Sequence, residues 1–142
     1  MTWHATRRGP EVTFNTGFFQ PVPYEEEQTN AGVYGKQLAD WISEQLNKNG
    51  MKVEEVVAED FGWAVIVSRK PILLWIACSN VRESTEWRMY PVAEPYLRQR
   101  LFGFELTPRA ERLRTLLQEI VPTIPGVSAI EWQGTEWSRN QR

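Results

Sequence analysis

The stretch from Glu59 to Cys78, EDFGWAVIVSRKPILLWIAC, constrains the fold of this chain more than any other. Phe61, Trp63, Val65 and Val67 alternate with Ala64 and Ile66. After the charged break Arg69-Lys70-Pro71, Ile72, Leu74, Ile76 and Cys78 alternate with Leu73, Trp75 and Ala77. A period of two marks strands, and a break of three residues suits an antiparallel hairpin. Strands apolar on both faces belong in the middle of a sheet, covered on each side or covered on one side and open to a partner on the other.

The flanking segments read as one further strand set and two helices. Glu11 to Phe19 carries Val12, Phe14 and Phe18 in a partly alternating pattern and stops at Pro21 and Pro23. From Gly32 to Asn49 the spacing becomes helical, with Tyr34, Leu38, Trp41, Ile42 and Leu46 on one face, Asn30 as the expected N-cap and Asn49-Gly50 as the stop. Met51 to Val57 and Thr85 to Val92 read as strands, the latter at an edge or ending there because of Pro91. Pro95 to Gly103 suits a short helix or an apolar loop. Thr107 followed by Pro108 starts a second helix with the stripe Ala110, Leu113, Leu116, Leu117, Ile120 and Val121. Val127 to Gln133 is a last strand.

Helices that interrupt an antiparallel meander pack on one face of its sheet. The expected fold is therefore α+β, a two-layer sandwich with a mostly antiparallel sheet of about five to six strands and two main helices on one face. Its expected limits are a flexible arm over 1–10, a single domain over 11–133 and a flexible tail over 134–142. A chain of 142 residues buries roughly two thirds of its unfolded surface in one core.

The single cysteine, Cys78, leaves no disulfide framework and no thiolate cluster, so no metal or other cofactor is expected and a reducing cytoplasm is the simplest location. The N-terminal MTWHATRRGPEV has no apolar core of a signal sequence, and the longest apolar runs are too short to cross a bilayer. Residues 1–66 hold 5 Lys/Arg against 10 Asp/Glu, while residues 67–142 hold 11 against 8, so the chain is polarised in charge. The net charge of −2 argues against a dedicated nucleic-acid binder, although Arg98, Arg100, Arg109, Arg112 and Arg114 could form a basic edge suited to phosphate.

Catalytic machinery is sparse. The only histidine, His4, sits in the expected arm, a poor place for a positioned imidazole, and Cys78 ends a core strand where a thiol behaves as a small hydrophobe. Glu59-Asp60, joined by Glu54 or Glu55 and helped by Lys70, could supply acid and base or hold a metal. Adjacent strand residues point to opposite faces, however, and cannot easily share one site. The run Glu25-Glu26-Glu27 beside Tyr24 is either a solvated loop or an acidic recognition surface. Trp63, Trp75 and Trp87 fall on three consecutive strands, in position for a cross-strand ladder or for an exposed binding face.

At Glu59-Asp60-Phe61-Gly62-Trp63, after the helix that begins near Tyr34-Gly35-Lys36-Gln37-Leu38-Ala39-Asp40-Trp41, the chain resembles small bacterial single-domain proteins of unknown function that carry an acidic pair followed by Gly-Trp. The resemblance covers roughly residues 17–80. It implies an immunity-like or antitoxin-like domain that neutralises a cognate toxin by covering its active site, and it supplies no catalytic residues. The expected function is thus non-enzymatic binding of a protein partner, with no membrane or nucleic-acid role. The expected contact residues are Tyr24, Glu25, Glu26, Glu27, Glu59, Asp60 and Trp63. The alternatives are a small enzyme or ligand-binding domain using Glu59 or Asp60, and a homodimer that buries its Trp-bearing sheet face against itself.

Overall fold

Among the described residues, 5–82 and 85–138 of a computed structural model, the chain runs β1 (Arg7–Arg8), β2 (Glu11–Asn15), α1 (Lys36–Lys48), β3 (Glu55–Glu59), β4 (Gly62–Ser68), β5 (Leu73–Asn80), β6 (Glu86–Glu94), α2 (Leu97–Phe102), α3 (Pro108–Ile120) and β7 (Ser128–Gln133). The strands form one open antiparallel sheet in the order β3-β4-β5-β6-β2-β7, and β1 also pairs with β6. This is the α+β architecture expected from the alternation of the strands and the spacing of the helices.

The two faces of the sheet differ sharply. Trp63, Val65 and Val67 of β4, Leu74, Ile76 and Cys78 of β5, Trp87 and Met89 of β6, and Val12 and Phe14 of β2 join one core with Leu38, Ile42 and Leu46 of α1 and Leu113, Leu116, Leu117 and Ile120 of α3. Burying a side chain of this kind is worth about 1.5–3 kcal/mol, so this layer supplies most of the stability. Ala64, Ile66, Ala77 and Val92 are also buried but lie outside that core, because they point to the opposite face. The both-sided apolar character of β4 and β5 therefore has two causes, the helix layer on one side and a smaller aromatic patch on the other.

The register rules out the tryptophan ladder. Trp63 pairs with Cys78, Trp75 with Ile66 and Val92, and Trp87 with Asn80. Trp63 and Trp87 consequently face the helices, and Trp75 faces away from them.

Pro91 lies inside β6, between β5 on one side and β1 and β2 on the other, and not at a sheet edge or strand end as expected. Its carbonyl accepts from Gly9 N–H at 2.9 Å. The N–H and C=O of one strand residue point to the same side, so the donor that Pro91 lacks would face the Gly9-Pro10 junction between β1 and β2. The one bond Pro91 cannot give is the return bond to Gly9, which follows Arg8 opposite Val92, and it falls at the break between β1 and β2.

Other boundaries shift as well. The helix expected from Gly32 begins at Lys36, and the strand expected over Met51 to Val57 is Glu55–Glu59. The residues of the expected arm include β1, which pairs Arg7 with Ala93 and Arg8 with Val92. Ser138 N–H donates to the Arg8 carbonyl at 2.7 Å, and Trp137 is buried in the core. His4 and Trp3 lie outside the described residues. Thr107 caps α3 as expected, accepting from Ala110 N–H at 3.2 Å with Pro108 in the first turn.

Candidate functional site

One carboxylate organises the end of the sheet where β4 begins. Glu25 is only 3% exposed. Its Oε2 accepts from Gly35 N–H at 2.7 Å, from Lys36 N–H at 2.8 Å and from Trp63 Nε1–H at 2.7 Å, and its Oε1 accepts from Val22 N–H at 2.8 Å. A helix start leaves N–H groups without internal partners and carries partial positive charge, so a carboxylate placed there satisfies both demands. Glu25 caps α1 from ten residues upstream of Gly35, whereas the side chain of Asn30, the expected cap, accepts from its neighbour Ala31 N–H at 3.0 Å. The physical reason is Gly35, which brings the helix start against the end of β5 and away from the Asn30 turn.

That approach is close. A Cβ on Gly35 would stand 2.7 Å from the Cys78 carbonyl oxygen, and one on Gly62 would stand 2.4 Å from the same atom. Both glycines have positive φ, 153° and 146°. The Gly-Trp of the acidic-pair segment is thus a packing requirement: Gly62 clears the Cys78 carbonyl while Trp63 turns inward to meet Glu25.

Burial removes Glu25 and Trp63, 3% and 4% exposed, from any contact surface. Their role is to hold the remaining candidates in place. Tyr24 is 79% exposed and sits at φ 66°, a left-handed conformation that a bulky residue adopts only when its surroundings hold it there. Glu26 accepts from Gly32 N–H at 2.7 Å and from Tyr34 Oη–H at 2.9 Å, and these bonds, the first chiefly, hold its pKa below the ordinary carboxylate value. Glu27, Glu59 and Asp60 are exposed and form no ion pair among the described residues. Because Glu25 contacts Trp63 directly, the two acidic segments that lie far apart in the sequence share one end of the fold.

On the helix-free face beside this end lies a groove of about 330 Å³, lined by Glu59, Phe61, Ala64, Ile66, Leu73, Trp75 and Glu94. Ala64 and Ala77 are paired across β4 and β5, and small side chains there leave a trough. The Phe61 and Trp75 rings meet at 5.7 Å between centroids, inclined by 37°, and Phe61 is 41% exposed. Trp75 Nε1–H donates to Glu94 Oε1 at 3.0 Å, which fixes both the indole and the carboxylate. Glu59 pairs with Gly62 at the start of β4, and Glu94 pairs with Leu73 at the start of β5, so the two carboxylates stand toward opposite ends of the groove. Neither has a cation partner among the described residues. Phe61, Trp75 and Glu94 are absent from the contact set expected from sequence. Glu94 lies three strands from Glu59 in the sheet, and only the strand register brings it to the same face.

Catalytic candidates are not gathered here. Among the described residues no group of three or more His, Cys, Asp or Glu side chains could hold a metal ion, and no helix is long and apolar enough to cross a membrane. Cys78 is fully buried, and burial, with a smaller contribution from Asp40, pushes its thiol pKa far above the usual value. Comparison with protein-family models, curated proteins and solved structures finds no match to this chain.

Proposed function

We propose that this protein is a non-enzymatic binding protein that covers a cationic surface of a partner protein, in the manner of an immunity protein neutralising a cognate toxin. The observation that carries the reading is the pair of carboxylates without cation partners, Glu59 and Glu94, on a groove walled by Phe61 and Trp75. A guanidinium or ammonium group entering that groove gains an aromatic face and a carboxylate at once, and the partner's apolar stem replaces water over Ala64 and Ile66. Asp60, Glu26 and Glu27 extend the negative field around the β3–β4 turn and steer a basic partner toward it. Tyr24 supplies the exposed, amphipathic ring that interfaces favour as an anchor.

The test uses the full chain and an extended peptide bearing arginine at alternate positions, at low ionic strength. Saturable binding weakened about tenfold by Glu59→Gln with Glu94→Gln is the expected result, since each exchange removes a charge-assisted contact while the new amide oxygen beside Trp75 still accepts from its indole N–H. Binding that the double variant leaves unchanged would refute the reading.

A further inference from the structure

At the end of the sheet remote from the β3–β4 turn lies a cleft of about 660 Å³, between the segment after α1, the β4–β5 turn and the start of α3. Lys52, Arg69, Lys70 and Arg109 line it, against the single carboxylate of Glu54. That carboxylate is already engaged. Arg69 Nη1 lies 2.8 Å from Glu54 Oε1 and Arg69 Nη2 lies 2.6 Å from Glu55 Oε2, while Arg69 N–H donates to Glu54 Oε2 at 3.2 Å. These bonds, the one to Glu55 first, raise the pKa of Arg69 and lock the turn that carries Lys70.

The other three cations have no carboxylate partner among the described residues. Arg109 Nη2–H donates to the Lys52 carbonyl at 2.9 Å, which ties the first turn of α3 to the Lys52 segment and holds the guanidinium at the cleft. Its remaining N–H groups have no acceptor among the described residues. Arg109 is the second residue of the 13-residue helix α3, so the positive end of that helix adds to the field of the three side chains. No aromatic side chain lines the cleft, and recognition there rests on charge and N–H donors alone.

We propose that this cleft binds a chain of phosphates, with Lys52, Lys70 and Arg109 contacting its oxygens and Arg69 serving as the paired strut that positions Lys70. The site is separate from the acidic groove, and neither proposal depends on the other. Arginine offers a forked set of donors and lysine a point charge, a combination suited to neighbouring phosphate groups. The volume exceeds that of the acidic groove and falls in the range of small-molecule sites.

The experiment is calorimetric titration of the full chain with tripolyphosphate, with ATP and AMP as parallel arms. Saturable binding of tripolyphosphate, with ATP within about threefold of it and AMP weaker by about tenfold or more, is expected when the phosphate chain itself is read. Lys52→Gln with Lys70→Gln, and separately Arg109→Gln, should each weaken tripolyphosphate about tenfold or more. Lys48→Gln, a cation outside the cleft, should change it by less than about twofold. Far-UV circular dichroism and urea midpoints verify that each variant is folded, and the single Arg109→Gln variant decides the matter if the double variant fails that check. ATP bound about tenfold tighter than tripolyphosphate, AMP equal to ATP, no saturation at millimolar ligand, or equal loss in Lys48→Gln would each overturn the proposal.

Discussion

Glu25 Oε2 accepts a hydrogen bond from Trp63 Nε1–H at 2.7 Å, and the same oxygen caps the first turn of α1. A single buried carboxylate thereby joins the loop before α1, the helix itself and the start of β4. Glu25→Ala leaves the N–H donors of Val22, Gly35, Lys36 and Trp63 without this acceptor and should cost about 2–4 kcal/mol in urea unfolding, whereas Trp63→Phe, which keeps an aromatic ring, should cost about 1 kcal/mol. The double variant should be less destabilised than the sum, by about 1 kcal/mol, because the two side chains share one bond. Strict additivity would show that the contact does not join them.

The close passage of Gly35 and Gly62 over the Cys78 carbonyl gives a second expectation. Gly62→Ala brings a Cβ within 2.4 Å of a backbone oxygen that cannot move aside without breaking the β4–β5 pairing. A loss of about 2–4 kcal/mol is expected, from overpacking and from the positive φ together. Gly17→Ala, which meets nothing within 4 Å, is the control and should shift stability by less than about 0.5 kcal/mol. Equal denaturation midpoints for the two variants would contradict the packing described.

Glu26 sets a pH dependence whose sign follows from its lowered pKa. A carboxylate with a folded pKa below its unfolded value contributes stability above the unfolded pKa, near the ordinary value of 4.5, and loses that contribution as pH falls through the folded pKa. Glu26→Gln should therefore flatten part of the fall in urea midpoint on acidification below about pH 5 and leave its shape above about pH 6 unchanged. An acid limb identical to that of the parent protein would show that the Gly32 and Tyr34 bonds do not act in solution.

Cys78 should be silent toward thiol reagents in the native state. Its sulfur lies in the core and burial disfavours the thiolate, so labelling should proceed at the rate of global unfolding and accelerate with denaturant accordingly. Rapid labelling without denaturant would contradict the placement of β5.

The sequence made the layers legible and left the surface largely hidden, and particular residues show why. Alternation along β4 and β5 and the 3.6-residue stripes of α1 and α3 are local signals, and they sufficed for the α+β sandwich. The cap on α1 was not legible, because the capping group is Glu25, a distant residue inside an acidic run that looks solvated. Likewise, Trp63 and Trp75 are indistinguishable as letters. Their opposite faces follow from pairing with Cys78 and Ile66 respectively, which is register information. Glu59 and Asp60 are legible as exposed charge at a strand turn, while Glu94 enters the groove only through its pairing with Leu73.

The most direct test of the acidic groove as a seat for a basic side chain is the NMR signal of the Trp75 indole N–H, titrated with the arginine peptide and with the same peptide carrying citrulline, its neutral isostere. Arginine should shift the Trp75 signal saturably and leave the buried Trp63 indole, held by Glu25, in place, while citrulline should shift neither. Equal shifts with both peptides, or a Trp75 signal that arginine leaves unmoved, would contradict the proposed recognition of a cationic partner.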